Sequence, residues 1–180
     1  MAVAESLPGV KTVLLTSGLN FPDALSAGPA AAHAGGVVLL TQGETMPSAT
    51  QVYLAQSANA EVFAVGGPAA KAAPTTPKDH QLVDADRYET GTLVASMFFS
   101  NPGTVTFASG QNFPDALSGG AFAALIDSPI LLVSSDTVPP VVTSYLHANE
   151  TQVSNSALIG GASAVTESVR STLEATLNGF

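Results

Sequence analysis

The stretch SGLNFPDALSAG at residues 17–28 returns as SGQNFPDALSGG at residues 109–120, an offset of 92. Residues 16–32 and 108–124 agree at 12 of 17 positions. The register continues through Leu39 and Leu40 (Leu131 and Leu132) and through Tyr53 and Leu54 (Tyr145 and Leu146). Val65, Gly66 and Gly67 are echoed by Ile159, Gly160 and Gly161 at an offset of 94, so the second copy has two extra residues before its last strand. Solenoid repeats run to about 20 to 50 residues and bury a core only by stacking, whereas a unit of about 90 residues can enclose its own. The expectation is two small domains, residues 1–78 and 79–180.

Working outward from the first copy, TVLLT at 12–16 reads as a strand buried on both faces. Asn20, followed by Pro22 and Asp23, has the composition of a helix start: an Asn cap, an early proline and an acid in the first turn. That helix runs to His33 and stops at Gly35 and Gly36. Residues 36–41 form a second strand, 47–58 a second helix and 61–65 a third strand, closed by Gly66 and Gly67. The second copy repeats the order: TVTFA at 104–108, a helix from Pro114, PILLV at 129–133, a helix from Pro139 or Pro140, and ALI at 157–159 before Gly160 and Gly161.

Strands alternating with helices across short connections predict parallel strands joined by right-handed crossovers. The predicted fold is α/β, a tandem pair of three-layer αβα domains with mainly parallel sheets, Rossmann-like or flavodoxin-like. Residues 72–80, with two prolines and two threonines, read as a linker. Beyond it, 86–100 reads as a helix capped by Asp86, with Tyr88, Leu93, Val94, Met97 and Phe98 on one face. The first copy has only residues 2–7 in the corresponding place, so its leading helix is shortened and the chain is expected to be a fragment.

With 46% hydrophobic and 11% charged residues in 180, the chain has material for a core and too little charge for disorder. Fourteen acidic and five basic residues give a net charge of −9. That balance opposes nucleic acid, which is held by clustered Lys and Arg, and anionic lipid surfaces. An anionic ligand needs local help from backbone amides, Arg87 or a bridging cation. The absence of cysteine removes disulfides, thiol nucleophiles and thiolate metal sites. No run approaches the roughly 18 apolar residues of a membrane span, and residues 1–5 lack the features of a signal peptide.

In such sheets ligands gather at the carboxyl ends of the strands. The SGxNFPD turns lie there, so Ser17, Asn20, Asp23, Ser109, Asn112 and Asp115 can offer hydroxyl, amide and carboxylate groups to sugar hydroxyls. The same residues equally suit capping and turn formation, with Phe21 and Phe113 as hydrophobic staples. Gly66 with Gly67 and Gly160 with Gly161 follow a strand and precede an expected helix, the setting in which backbone amides hold phosphate, but without a GxGxxG or a GKS/T ending. Asp84 and Asp86 form a DxD, the spacing of metal-dependent phosphoryl chemistry, yet it occurs once and a cap accounts for Asp86. His33, His80 and His147 do not recur between copies, which excludes a duplicated Ser-His-Asp site.

Taken together, SGxNFPDALSAG, the LL strand, VPP before a helix, GG after the third strand and DRYET at 86–90 resemble the cell wall binding repeat 2 family, over essentially the whole chain in two copies. The resemblance implies a surface protein of a Gram-positive bacterium, located outside the cell at the wall. Such repeats usually come in threes and anchor a separate functional domain non-covalently to anionic secondary wall polymers, polysaccharide or teichoic in type. It implies an anchoring module rather than an enzyme; no cofactor or metal ligand is expected from the residues. Two repeats instead of three imply a third repeat elsewhere or self-association. The expected contacts are the six turn residues, the four glycines and Arg87, whose guanidinium suits phosphate or carboxylate. The rivals are a wall-associated hydrolase or metal-dependent phosphatase using Asp84, Asp86 or a serine turn, and a self-assembly module packing SGxNFPD surfaces together. Duplication favours binding, because weak sites gain from avidity.

Overall fold

The computed structural model describes residues 2–179. A short helix α1 (Ala2–Glu5) leads into β1 (Thr12–Ser17), α2 (Pro22–His33), β2 (Val37–Thr41), α3 (Ser48–Gln56), β3 (Glu61–Val65) and α4 (Gly67–Ala72). A 3₁₀ turn at Lys78–His80 and a two-residue strand β4 (Gln81–Leu82) follow, and then α5 (Arg87–Phe98) opens the second copy. The second copy comprises β5 (Thr104–Ser109), α6 (Phe113–Leu125), β6 (Ile130–Val133), α7 (Pro140–Ala148), β7 (Asn155–Ile159) and α8 (Glu167–Asn178).

All strand pairs are parallel, in the orders β2-β1-β3-β4 and β6-β5-β7, so each copy places its first strand centrally. The fold is the predicted one, two parallel-sheet α/β units with helices on both faces. Two elements exceed the sequence reading, the 3₁₀ turn and β4, while α4 and α8 are the helices expected after the glycine pairs. The segment read as a linker thus contains a 3₁₀ turn and feeds β4, which extends the first sheet by pairing Gln81 and Leu82 with Ala64 and Val65.

Central β1 and β5 are buried along nearly their whole length, as aliphatic strands covered on both faces require. On the outer face of the first sheet, Val13, Leu15, Val37 and Leu39 pack with Tyr53 of α3 and Ala69 of α4. On its inner face, Leu14, Phe63, Val65 and Leu82 pack with Ala27 and Ala30 of α2, and with Val94 of α5 and the adjoining Phe99. Leu25 of α2 belongs to the second copy's inner core, beside Ala108, Ala116, Ala123, Ile130 and Leu132. The hydrophobic core therefore crosses from one copy to the other.

Helices α2 and α6, the two forms of the repeated phrase, pack against each other in parallel. At their starts the rings of Phe21 and Phe113 lie 5.3 Å apart, and at their ends His33 Nδ1 is 2.6 Å from Asp127 Oδ1. Small residues permit this approach: the backbone of Gly120 faces the Leu25 carbonyl and the Pro29 ring. The phenylalanines are thus partners across the junction, where the sequence suggested local staples. No helix among the described residues is long and apolar enough to cross a membrane.

Candidate functional site

Each repeated turn begins at the end of a central strand. The Ser17 hydroxyl accepts the Leu19 N–H at 3.2 Å, and the Ser109 hydroxyl accepts those of Gln111 and Asn112 at 3.2 and 3.3 Å. Gly18 and Gly110 donate to Thr41 and Val133 of the neighbouring strand, each at 2.8 Å. Both serines are buried and shape the turn. The asparagines behave otherwise. Helix α2 starts with Phe21 at its cap position, and Asn112 stands at the cap of α6, yet neither helix receives a side-chain cap bond. The Asn cap expected from composition is absent, and Asn20 and Asn112 are exposed next in sequence to Phe21 and Phe113, whose rings pair at a tilt of 51°.

The aspartates of the phrase turn inward to the glycine pairs. A Cβ placed on Gly66 would lie 2.0 Å from Asp23 Oδ2, and one on Gly160 would lie 3.0 Å from Asp115 Oδ2. Both glycines have positive φ, 85° and 123°, so their lack of a side chain serves conformation and carboxylate clearance together. Gly67 and Gly161 meet no such crowding. The first glycine of each pair is a seat for the repeat's own carboxylate, a use that the phosphate-loop setting did not disclose.

Burial pushes the Asp23 carboxyl above its ordinary range, and the nearby charge of Arg87 acts in the opposite direction. Arg87 enters from the start of α5, and its Nη1 donates to the Gly110 carbonyl at 2.6 Å. It therefore spans the junction, between a carboxylate of the first turn and the backbone of the second. Gly110 makes room for this: a Cβ there would stand 2.9 Å from the Tyr88 ring and 3.3 Å from Arg87 Cδ.

The segment DRYET holds that helix start in place. Asp86 caps α5 through the Tyr88 and Glu89 N–H groups at 2.7 and 2.9 Å, as expected from the sequence. Glu89 reaches back to the Ala85 N–H, and Thr90 Oγ1 accepts from Asp84 N. Asp84 accepts the Ala85 N–H, so both acids of the DxD are engaged with backbone. No group of three or more His, Cys, Asp or Glu suited to a metal occurs among the described residues. His33 pairs with Asp127 and His80 stacks on Phe63 at 4.2 Å, both away from the turn serines.

The result is a junction in which Arg87 bonds the Gly110 carbonyl and its charge reaches Asp23, while the two phrases present exposed amides and an exposed aromatic pair. Asp115 and Gly160 repeat only part of it, since the described residues supply no second arginine corresponding to Arg87. The aromatic pair was missed by sequence reasoning, although its signal was present as the repeated Asn-Phe.

The family model for cell wall binding domain 2 (CWB2) matches residues 1–73 and 82–170. The chain belongs to the CWB2 family. It is accordingly a wall-binding module of the bacterial cell surface. Among curated relatives, the amidase enhancer of Bacillus subtilis is 25% identical over 174 residues, covering 95% of this chain and 24% of that protein. The N-acetylmuramoyl-L-alanine amidase LytC of the same organism is 22% identical over 175 residues, covering 96% of this chain and 35% of that protein. The CWB2 chain thus spans about a quarter to a third of these relatives. Cwp6 from Clostridium difficile superposes with a TM-score of 0.78 at 22% identity, over 93% of this chain and 28% of that one. Cwp8 from the same organism gives 0.77 at 20%, over 95% and 30%. At these identities the structures show a shared fold.

Proposed function

We propose that this chain is a non-catalytic anchor that holds an anionic secondary wall polymer at the junction between its two copies. The observation that carries the reading is Arg87, bonded to the Gly110 carbonyl of the second turn and near enough to the first for its charge to act on Asp23. With a net charge of −9 the molecule repels polyanions as a whole, so an anionic polymer needs a local cation. One N–H of the Arg87 guanidinium is committed to Gly110, which leaves donors for phosphate or carboxylate oxygens. The exposed amides suit sugar hydroxyls, and the ring pair offers an apolar face to a sugar ring. Against catalysis stand the serine hydroxyls, buried and bound to backbone amides.

Co-sedimentation with Gram-positive wall sacculi, before and after acid extraction of secondary polymers, tests the reading. Binding is expected before extraction and not after. The double variant Asn20→Ala/Asn112→Ala, at exposed positions, is expected to bind more weakly with an unchanged melting temperature. Undiminished binding to extracted sacculi overturns polymer recognition.

A second reading concerns partners. Leu25 is 5% exposed beneath the second copy, whereas its counterpart Leu117 is 62% exposed. A groove of about 240 Å³ between α2 and α6, lined by Leu25, Gly28, Leu117 and Gly120, lies beside it. We infer that this face receives a third copy of the repeat, seated as the second sits on the first. Sedimentation velocity measures whether a second chain supplies it. A strictly monomeric chain at all concentrations rules out supply by self-association.

A further inference from the structure

The two forms of the repeated helix agree closely along most of their length and part company at their ends. The first copy has His33 and Gly35 there, where the second has Leu125 and Asp127 in the same register. His33 and Asp127 are the two that meet across the junction, Nδ1 to Oδ1 at 2.6 Å. Each partner thus stands in the one copy from which it reaches the other. Leu125 brings no imidazole to the second helix, and Gly35 brings no carboxylate to the first.

The backbone bears the mark of this contact. Gly35 and Asp127 both follow their helices in the left-handed region, at φ 60° and 52°, and Asp127 is the one residue other than glycine with positive φ among the described residues. Glycine adopts that conformation freely, whereas a side chain there is disfavoured. The second copy therefore keeps an aspartate at a place where glycine is the easier residue, and the contact that its carboxylate makes is His33.

When protonated, His33 faces three attractive groups: the Asp127 carboxylate, the carbonyl end of α2, and the Phe99 ring with centroids 4.5 Å apart. Few other charges belong to this end of the junction. Helix α2 carries only Asp23 and α6 only Asp115, both in the first turn and so at the far end, and residues 90–103, which include the end of α5, carry none. Lys11 and Glu61 lie exposed beside the amino ends of β1 and β3.

We propose that His33 and Asp127 form a protonation-controlled latch between the copies. Acid strengthens the hold at the ends of α2 and α6, and loss of the imidazole proton relaxes it. The two side chains are 37% and 71% exposed, so the latch answers directly to the medium. The sign follows from the charges: the ion pair contributes stability while the imidazole is charged, and that contribution is lost as rising pH removes the proton. At the opposite end of the same helices the Phe21 and Phe113 rings have no proton to lose, so the response is confined to one end of the junction. The inference does not rest on the wall-binding reading.

The test is a double-mutant cycle of His33→Leu and Asp127→Gly in the full chain, read by urea denaturation at about pH 5.5 and about pH 8.5, on either side of the range in which histidine changes charge. Each substitution installs the residue that the other copy carries, so helix and turn are retained. At the lower pH the coupling is expected to be about three- to fivefold in the folding equilibrium constant, as for a well-formed exposed ion pair, and at the higher pH close to none. Asp127→Gly alone is expected to stabilise at the higher pH, where it relieves the left-handed backbone and removes no ion pair, and to gain less at the lower. The cycle subtracts the change in net charge that each variant brings. A coupling no larger at the lower pH than at the higher, including none at either, overturns the proposal.

Discussion

Asp23 and Asp115 are the same residue of the same phrase, yet only the first has a cation from the following copy beside it. Leu25 and Leu117 differ in the same way, one buried under a neighbour and the other exposed. The difference arises from surroundings, because the local sequences agree almost throughout. The first copy is completed by the second, through β4 on the edge of its sheet, Val94 and Phe99 on its inner face and α6 over Leu25.

The largest test of this comparison is truncation of the paired leucines. Leu25→Ala is expected to cost about 2–5 kcal/mol, as for a buried leucine, and Leu117→Ala less than about 0.5 kcal/mol. Urea denaturation measures both, and equal costs would break the asymmetry. Next come the glycine seats. Gly66→Ala, at φ 85° and 2.0 Å from Asp23 Oδ2, is expected to destabilise by about 1–3 kcal/mol, and by more than Gly160→Ala. Adding Asp23→Ala to Gly66→Ala should recover part of the loss, a non-additivity that separates the clash from backbone strain. The smallest effect lies at the paired tyrosines. Tyr53 donates to the Ala4 carbonyl at 3.3 Å, while the Tyr145 hydroxyl is buried without a partner among the described residues. Burial pushes the Tyr145 phenol up to about 12. Tyr53→Phe is expected to cost about 0.5–1.5 kcal/mol and Tyr145→Phe close to nothing, or to stabilise, by thermal denaturation.

The sheets and the cap at Asp86 were legible because their signals are local: continuous aliphatic runs between glycines, and an aspartate two and three residues before amides that need acceptors. Strand β4 was not legible, since two residues carry no periodicity and only the edge of β3 makes them a strand. Helix α8 was expected after Gly160 and Gly161, and the spacing of Val169, Leu173 and Leu177 marks the face that it buries. Composition also misled at Asn20 and Asn112. An asparagine before a helix reads as a cap, but here the neighbouring phenylalanines pair across the junction and the amides face solvent. Serine and aspartate were identified as turn residues, but not their division of labour: one closes the turn and the other needs a glycine from a distant strand. The action of the Arg87 charge on Asp23 passes between copies, and no local pattern encodes it.

The placement of β4 and α5 has a consequence for biosynthesis. Translation delivers β1, α2, β2, α3 and β3 first, but the open edge of β3 and the inner face of α2 stay uncovered until Leu82, Val94 and Phe99 have left the ribosome. A nascent chain stalled before those residues exposes a parallel edge and an apolar helix face, the surfaces on which growing chains associate. The closing pieces of the first copy are thus encoded at the entrance to the second, and the order of emergence ties the maturation of one to the arrival of the other.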